Sequence, residues 1–293
     1  MIGSETLIAA GGLGAAYALA ALGFVLIINA VGAVNFAQGD FVMAGGYVAV
    51  VAASWLSQNT DVAVIAPGLV ILPLVLLAMA VIGLGFSALA YLPLCRRPPM
   101  AVFISTIAIG IMLRQSANAF FGAAPQAGPV MVAPGLAGNN GHQLAMIAAA
   151  LVVIAALHGL LNGTQFGRHL RASAQDPQMA AAIGIPVTRM ILATFALAIA
   201  LAGLAGLLLS HQYLVQPDDG TTYMLKAYIA VTLGGWGRIN GAVAGALAIA
   251  VFETVVATLV SQVVAEMLLY VLVLAVLWVR PQGLFGEIEG RRA

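Results

Sequence analysis

Charge is what this sequence has least of. Only 7% of its 293 residues are Asp, Glu, Lys or Arg, against roughly a quarter in a soluble domain. Lysine occurs once, at Lys226, and cysteine once, at Cys95. A lone cysteine excludes an intrachain disulfide and a cysteine-built metal cluster. Met224 and Leu225 precede the lysine where a phosphate-binding loop needs glycines, so the chain is not expected to hydrolyse ATP itself. No catalytic residue, metal or cofactor is expected. Alternating ten-residue strand patterns are missing, which argues against an outer-membrane barrel. Polar stretches are too short for a separate soluble domain. Glu5 precedes the first apolar run and no basic stretch does, so a cleaved signal peptide is not expected. Acids and histidines form no file along one helix, which weakens the case for a proton relay.

What fills the chain is apolar: 62% of it is hydrophobic. Runs of about 20 such residues recur, the length that crosses a bilayer as a helix. The expected architecture is all-α: a polytopic helical transmembrane bundle of about eight spans, forming one domain over 1–293. The spans fall near Leu7–Ile28, up to Trp55, Leu69–Leu92, Ala101–Phe121, Gln143–Leu161, Met190–Ser210, Ala242–Val260 and Val263–Val279. Met224–Leu233 is too short to cross alone and marks a short or broken seventh segment. Gly12, Ala16 and Ala20 form a small-residue face for close helix contact, as do Ala198, Ala202 and Gly206. Gly241 and Gly245 make a GxxxG. The glycines of 234–241 serve either tight packing or a helix break beside a pathway.

Basic residues set the expected topology. With the N-terminus outside and the C-terminus cytoplasmic, Arg96, Arg97, Arg168, Arg171, Arg189, Arg238, Arg280, Arg291 and Arg292 all face the cytoplasm. The loops at 57–61, 122–142 and 211–223 then lie outside, and none carries Lys or Arg.

The polar stretch 162–189 organises the rest. Asp176 is a good N-cap, Pro177 suits a first helical position, and Gly184 suits a left-handed helix stop before Pro186. These signals bound a helix of about two turns between two spans. Ala180, Ala181 and Ala182 are expected to give it a small exposed face for a soluble partner. Arg168, Arg171, Ala172, Asp176, Ala180, Ala181 and Gly184 are the candidate coupling residues. Asn35, Gln38, Asp40, Arg114 and Glu253 are the candidates for a translocation path or gate, each polar among apolar neighbours. For Asp40 a helix cap or interfacial water is an equal alternative. Arg114 and Glu253 each lie seven residues before the expected end of a span, so they are expected at equal depth, where a buried pair competes with independent snorkelling.

Four stretches resemble one family. Asn35-Phe-Ala-Gln-Gly-Asp-Phe41 is similar to a motif of inner-membrane permeases of branched-chain amino-acid ABC importers of the high-affinity LivH type. The segment from Arg171 through Asp176 and Ala180 to Gly184-Ile185 resembles their cytoplasmic coupling segment. Gly234-Gly235, Gly241 to Gly245 with Glu253, and Arg280-Pro-Gln-Gly-Leu-Phe-Gly286 match in the same order. Ile28 stands before Asn29 where the family has tyrosine. The resemblance implies a multi-pass subunit of the bacterial inner (plasma) membrane. Its implied partners are a second homologous permease or second copy, two ATP-binding cassette subunits and a periplasmic solute-binding protein, with no nucleic acid. Relatives that carry urea or short amides keep those substrates open. A stand-alone secondary transporter or channel is the remaining alternative.

Overall fold

The computed structural model describes residues 3–59, 66–95, 97–132 and 140–280. The closing motif after Arg280 lies outside the described residues, as do Arg96, Arg291 and Arg292. Every regular element among the described residues is a helix, apart from one isolated pair of backbone hydrogen bonds joining Gln126 and Val215.

Two helices form the axis. α1 (Ser4–Val31) is buried continuously from Gly12 to Ile27, and α8 (Val187–Ser210) from Ala198 to Ser210. Both small-residue faces are therefore inside. Around them stand α2 (Gln38–Asn59), α3 (Pro67–Phe86), α4 (Pro99–Phe121), α5 (Gly141–Gly163), α10 (Ile239–Leu259) and α11 (Gln262–Val279). α3 opens into a π turn at Ser87–Tyr91. α2 lies against α8 so closely that a methyl on Gly45 would strike Gly203, and one on Gly206 would strike the backbone at Val42. Backbone contact at that range is how helices gain packing energy where lipid tails offer no hydrophobic contrast.

Among the described residues eight helices are long and apolar enough to cross a membrane. α9 (Asp219–Gly234) is the exception, with 16 residues and a length of about 24 Å. It coincides with the short segment read from the sequence. Eight passages alone would return both ends of a chain to one side. Termini on opposite sides need α9 to complete a ninth passage.

The two ends of the bundle are stitched differently. At one, Gly128 N donates to Ser210 O, Met131 N to His142 Nδ1 and Gly68 N to Val130 O. This ties the segment 126–131 across the ends of α3, α5 and α8. At the other, Asn29 Nδ2 donates to the Gly237 carbonyl, joining the last turn of α1 to the tight α9–α10 connection. There Gly235 and Gly237 take φ of 91° and 75°, and Gly234 meets Gly241 backbone to backbone. The glycines of 234–241 thus both end α9 and pack it against α10.

Candidate functional site

Two helices begin inside the bundle. α1 ends near the Gly237 turn, but Gln38, the first residue of α2, donates from Nε2 to Ala198 O at the middle of α8. The non-helical residues 32–37 therefore climb back into the interior. From the opposite end, residues 211–218 descend to the start of α9. The two helix starts meet: Gly39 sits against the Gly220 carbonyl and Met224 N. Exposed backbone in a bilayer interior needs local partners. Asn35 supplies them. Its Oδ1 accepts from Ala37 N, and its Nδ2 donates to Gln38 Oε1. Asn35 and Gln38 are fully buried, and their polar atoms serve this backbone junction.

Asp40 lies one residue further on. Its carboxylate fits between Gly110 of α4 and Gly220 of α9, where a Cβ on either glycine would collide with it. Arg114, one turn above Gly110, places Nε 3.2 Å from Asp40 Oδ1. The two atoms are not aligned for a hydrogen bond, and neither finds another partner. Arg114 donates instead from Nη1 to Thr221 Oγ1 at 2.8 Å. Asp40, Arg114 and Thr221 border a cavity of about 310 Å³ whose other walls include Phe36, Ile107 and Leu225. Arg114 keeps 29% of its side-chain surface exposed and Asp40 5%.

Glu253 belongs elsewhere. Its Oε1 is 2.7 Å from Lys226 Nζ, and its Oε2 accepts from Tyr17 OH at 3.1 Å. Lys226 also donates to Tyr17 OH, and Gln262 Nε2 to Glu253 Oε1. Glu266 Oε1 stands 3.4 Å from the lysine, with 38% of its side chain exposed. The cluster joins α1, α9, α10 and α11. Of the two readings, the buried Arg114–Glu253 pair does not form; each residue has its own partner. Equal depth said nothing about azimuth. Lys226 is buried and neutralises Glu253. Lys226, Tyr17 and Thr221 are the residues the sequence reading passed over. The signal for Lys226 was weak: it is the lone lysine, set in an apolar segment, but it lies close enough to the polar stretch 211–223 for snorkelling to be an equal reading.

The stretch 162–189 holds two short helices rather than one. α6 (Gln165–Gln175) was read as loop. Thr164 caps it by accepting from Gly167 N, and Gly167, Leu170 and Ser173 bury its inner face. Arg171 Nη1 donates back to Leu161 O, fastening α6 to the end of α5. α7 (Pro177–Ala182) follows the expected punctuation. Asp176 Oδ1 accepts from Gln178 N and Met179 N, and Gly184 takes a left-handed φ of 88°. Ile185 N returns to Ala180 O, closing the helix end. The expected exposed alanine face needs correction. Ala180 is buried at 2%, turned inward by the 100° step of the helix, while Ala181 and Ala182 are exposed. Met179 and Ile183, exposed at 62% and 70%, complete the outer face. Arg168 and Arg171 are exposed nearby, and Ala172 is half-buried.

Among the described residues, eight helices apolar enough to cross a membrane, buried charges and a capped helical platform at one end mark a multi-pass membrane protein. The chain matches the family described as branched-chain amino acid transport system / permease component over residues 7–277, and it belongs to that family. It is 30% identical over 290 residues to the high-affinity branched-chain amino acid transport system permease protein LivH of Salmonella typhimurium strain LT2, covering 94% of this chain and 93% of the relative. It is 29% identical over 295 residues to the corresponding protein BraD of Pseudomonas aeruginosa, covering 94% of each. It is 32% identical over 235 residues to a probable branched-chain amino acid transport permease protein LivH of Methanocaldococcus jannaschii, covering 77% of this chain and 72% of that one.

Proposed function

We propose that this chain is the membrane permease of an ATP-driven importer that moves branched-chain amino acids through the inner membrane. A periplasmic binding protein delivers the substrate, and two ATP-binding cassette subunits supply the work. A second permease, homologous or identical, completes the path. The chain's own part is passive: it forms walls and changes shape. Family membership supports the class and the relatives' names support the substrate.

The observation that carries the mechanism is the α6–α7 platform. Caps at both ends satisfy the backbone of this six-residue helix and hold it in one orientation. Here the cap orients Met179, Ala181, Ala182 and Ile183 away from the bundle. Exposed apolar side chains beside Arg168 and Arg171 suit a protein groove with an acidic rim. The basic residues near this end support a cytoplasmic position for it, on the side where ATPase subunits would lie. Because α6 packs on α8 and is fastened to α5, a push on α7 reaches α8, the helix that carries Ala198 and Gly206.

The test is reconstitution. The chain is coexpressed with neighbouring P-loop ATPase and permease genes and placed in proteoliposomes with the cognate binding protein. Uptake of leucine, isoleucine or valine that requires internal or external ATP on the platform side is the expected result. Transport without any ATPase subunit would make it a stand-alone transporter. Uptake of urea or a short amide instead, mirrored in what the binding protein holds, would move the substrate and leave the class.

A further inference from the structure

The cavity bordered by Asp40, Arg114 and Thr221 holds an ion pair whose facing atoms are close but misaligned, and whose arginine is partly exposed. A structural salt bridge in a bilayer normally satisfies all its polar atoms, because each unsatisfied one is costly. Here Asp40 Oδ1 and Arg114 Nε face each other at 3.2 Å without a hydrogen bond, at the edge of a cavity that both residues line. Three backbones have been cleared to put them there: Gly110 and Gly220 flank the carboxylate, and Gly39 lets the starts of α2 and α9 touch. The remaining walls are Phe36, Ile107, Met224, Leu225 and Tyr228.

We infer that this cavity is a transit site for the amino-acid zwitterion, with Arg114 and Thr221 receiving its carboxylate, Asp40 its ammonium group, and Phe36, Ile107 and Leu225 its side chain. The inference rests on the proposed function for its substrate class.

The chemistry is an exchange. A zwitterion crossing a low-dielectric interior carries two charges that must stay compensated. On entering, it replaces one internal ion pair with two mixed ones: guanidinium to substrate carboxylate, substrate ammonium to Asp40. No net charge is added to the interior. An arginine fork suits a planar carboxylate, and Thr221 already supplies a hydroxyl at its edge. Because the empty site closes on itself through Asp40 and Arg114, departure re-forms the starting pair. The exchange is close to balanced, so the site holds its ligand weakly and releases it, as a path requires. A solute lacking either charge would leave one residue stranded. Asn35 and Gln38 stay outside this site, one turn back, holding the junction that aims Asp40.

The test uses the complete importer in proteoliposomes, with leucine uptake measured against the concentration of leucine-loaded binding protein. Asp40→Asn and Arg114→Gln are expected to lower maximal uptake tenfold or more, with half-saturation by the loaded binding protein unchanged and ATP hydrolysis retained. Ile107→Phe and Leu225→Phe fill the cavity and leave the ion pair alone. They are expected to slow leucine more than valine. Charge variants at or within twofold of wild-type uptake would overturn the site. So would cavity-filling variants that slow neither amino acid, even if the charge variants failed to assemble, because an ion pair needed only for folding does not sense side-chain size. If the wild-type complex takes up none of the branched-chain amino acids but does carry another solute, the functional reading has failed first. The site is then wrong as stated.

Discussion

Thr221 and Lys226 stand five residues apart on α9, yet each is bound into a different ionic cluster. Five residues turn an α-helix by about 140°, so the two side chains leave opposite flanks of one rod. Thr221 meets Arg114 of α4 and Lys226 meets Glu253 of α10.

The first prediction concerns the lysine. Lys226→Met should cost about 3–5 kcal/mol of stability, because it strands Glu253 in the bilayer interior. Adding Glu253→Gln should recover part of that loss. Tyr17→Phe should cost only about 1 kcal/mol, as one shared hydrogen bond. Chemical unfolding of the detergent-solubilised protein gives all three values. A double-variant loss equal to the sum of the Lys226→Met and Glu253→Gln losses would show that the pair is not coupled.

A second cycle follows from the partners now assigned. Arg114→Leu and Glu253→Leu should add to within about 0.5 kcal/mol, since the two residues share no contact. Non-additivity beyond 1 kcal/mol would mean that α9 transmits between the clusters.

The platform gives a third prediction, with its own control. Ala181→Trp, on the outer face of α7, should sharply reduce ATP-coupled uptake while the protein remains at normal abundance in the membrane. Ala180→Trp, on the buried side, should lower abundance instead, through overpacking. Normal uptake at wild-type abundance in the Ala181 variant would remove the docking role. Asp176→Ala should loosen α7 by about 1 kcal/mol through loss of its N-cap, visible as faster amide exchange at Gln178 and Met179.

Affinity supplies the fourth. Equilibrium binding of leucine to the purified permease, without its binding protein, should be no tighter than micromolar, about −8 kcal/mol. Submicromolar binding would contradict a balanced exchange and make the permease itself a selective receptor.

How much of this was legible in the chain follows from what each signal measures. Hydropathy located every long helix, because the bilayer sets both length and composition. Asp176, Pro177 and Gly184 marked α7 because caps are local chemistry. α6 escaped because an amphipathic helix of polar composition looks like a loop when only apolar runs are sought. The inward turn of Ala180 depends on where α7 sits against α8, which no local signal reports. The cavity was half visible. Asp40 and Arg114 stood out as charges in apolar surroundings, but Thr221 is unremarkable in sequence and enters only because α9 starts inside the bundle. The pairing of Glu253 was misread because depth along a helix is legible in sequence and rotation about its axis, without neighbours, is not.

The buried lysine also constrains biogenesis. α9 is short and carries Lys226 near its middle, a residue that resists partition into lipid by roughly 3 kcal/mol. Its neutralising acid, Glu253, lies on α10 and is synthesised later. The nascent chain therefore has no stable way to seat α9 until α10 has emerged, and the remaining contacts come from α11 through Gln262 and Glu266. The last third of the protein should enter the bilayer as a unit, with a chain truncated near Gly237 leaving α9 exposed to quality-control proteases.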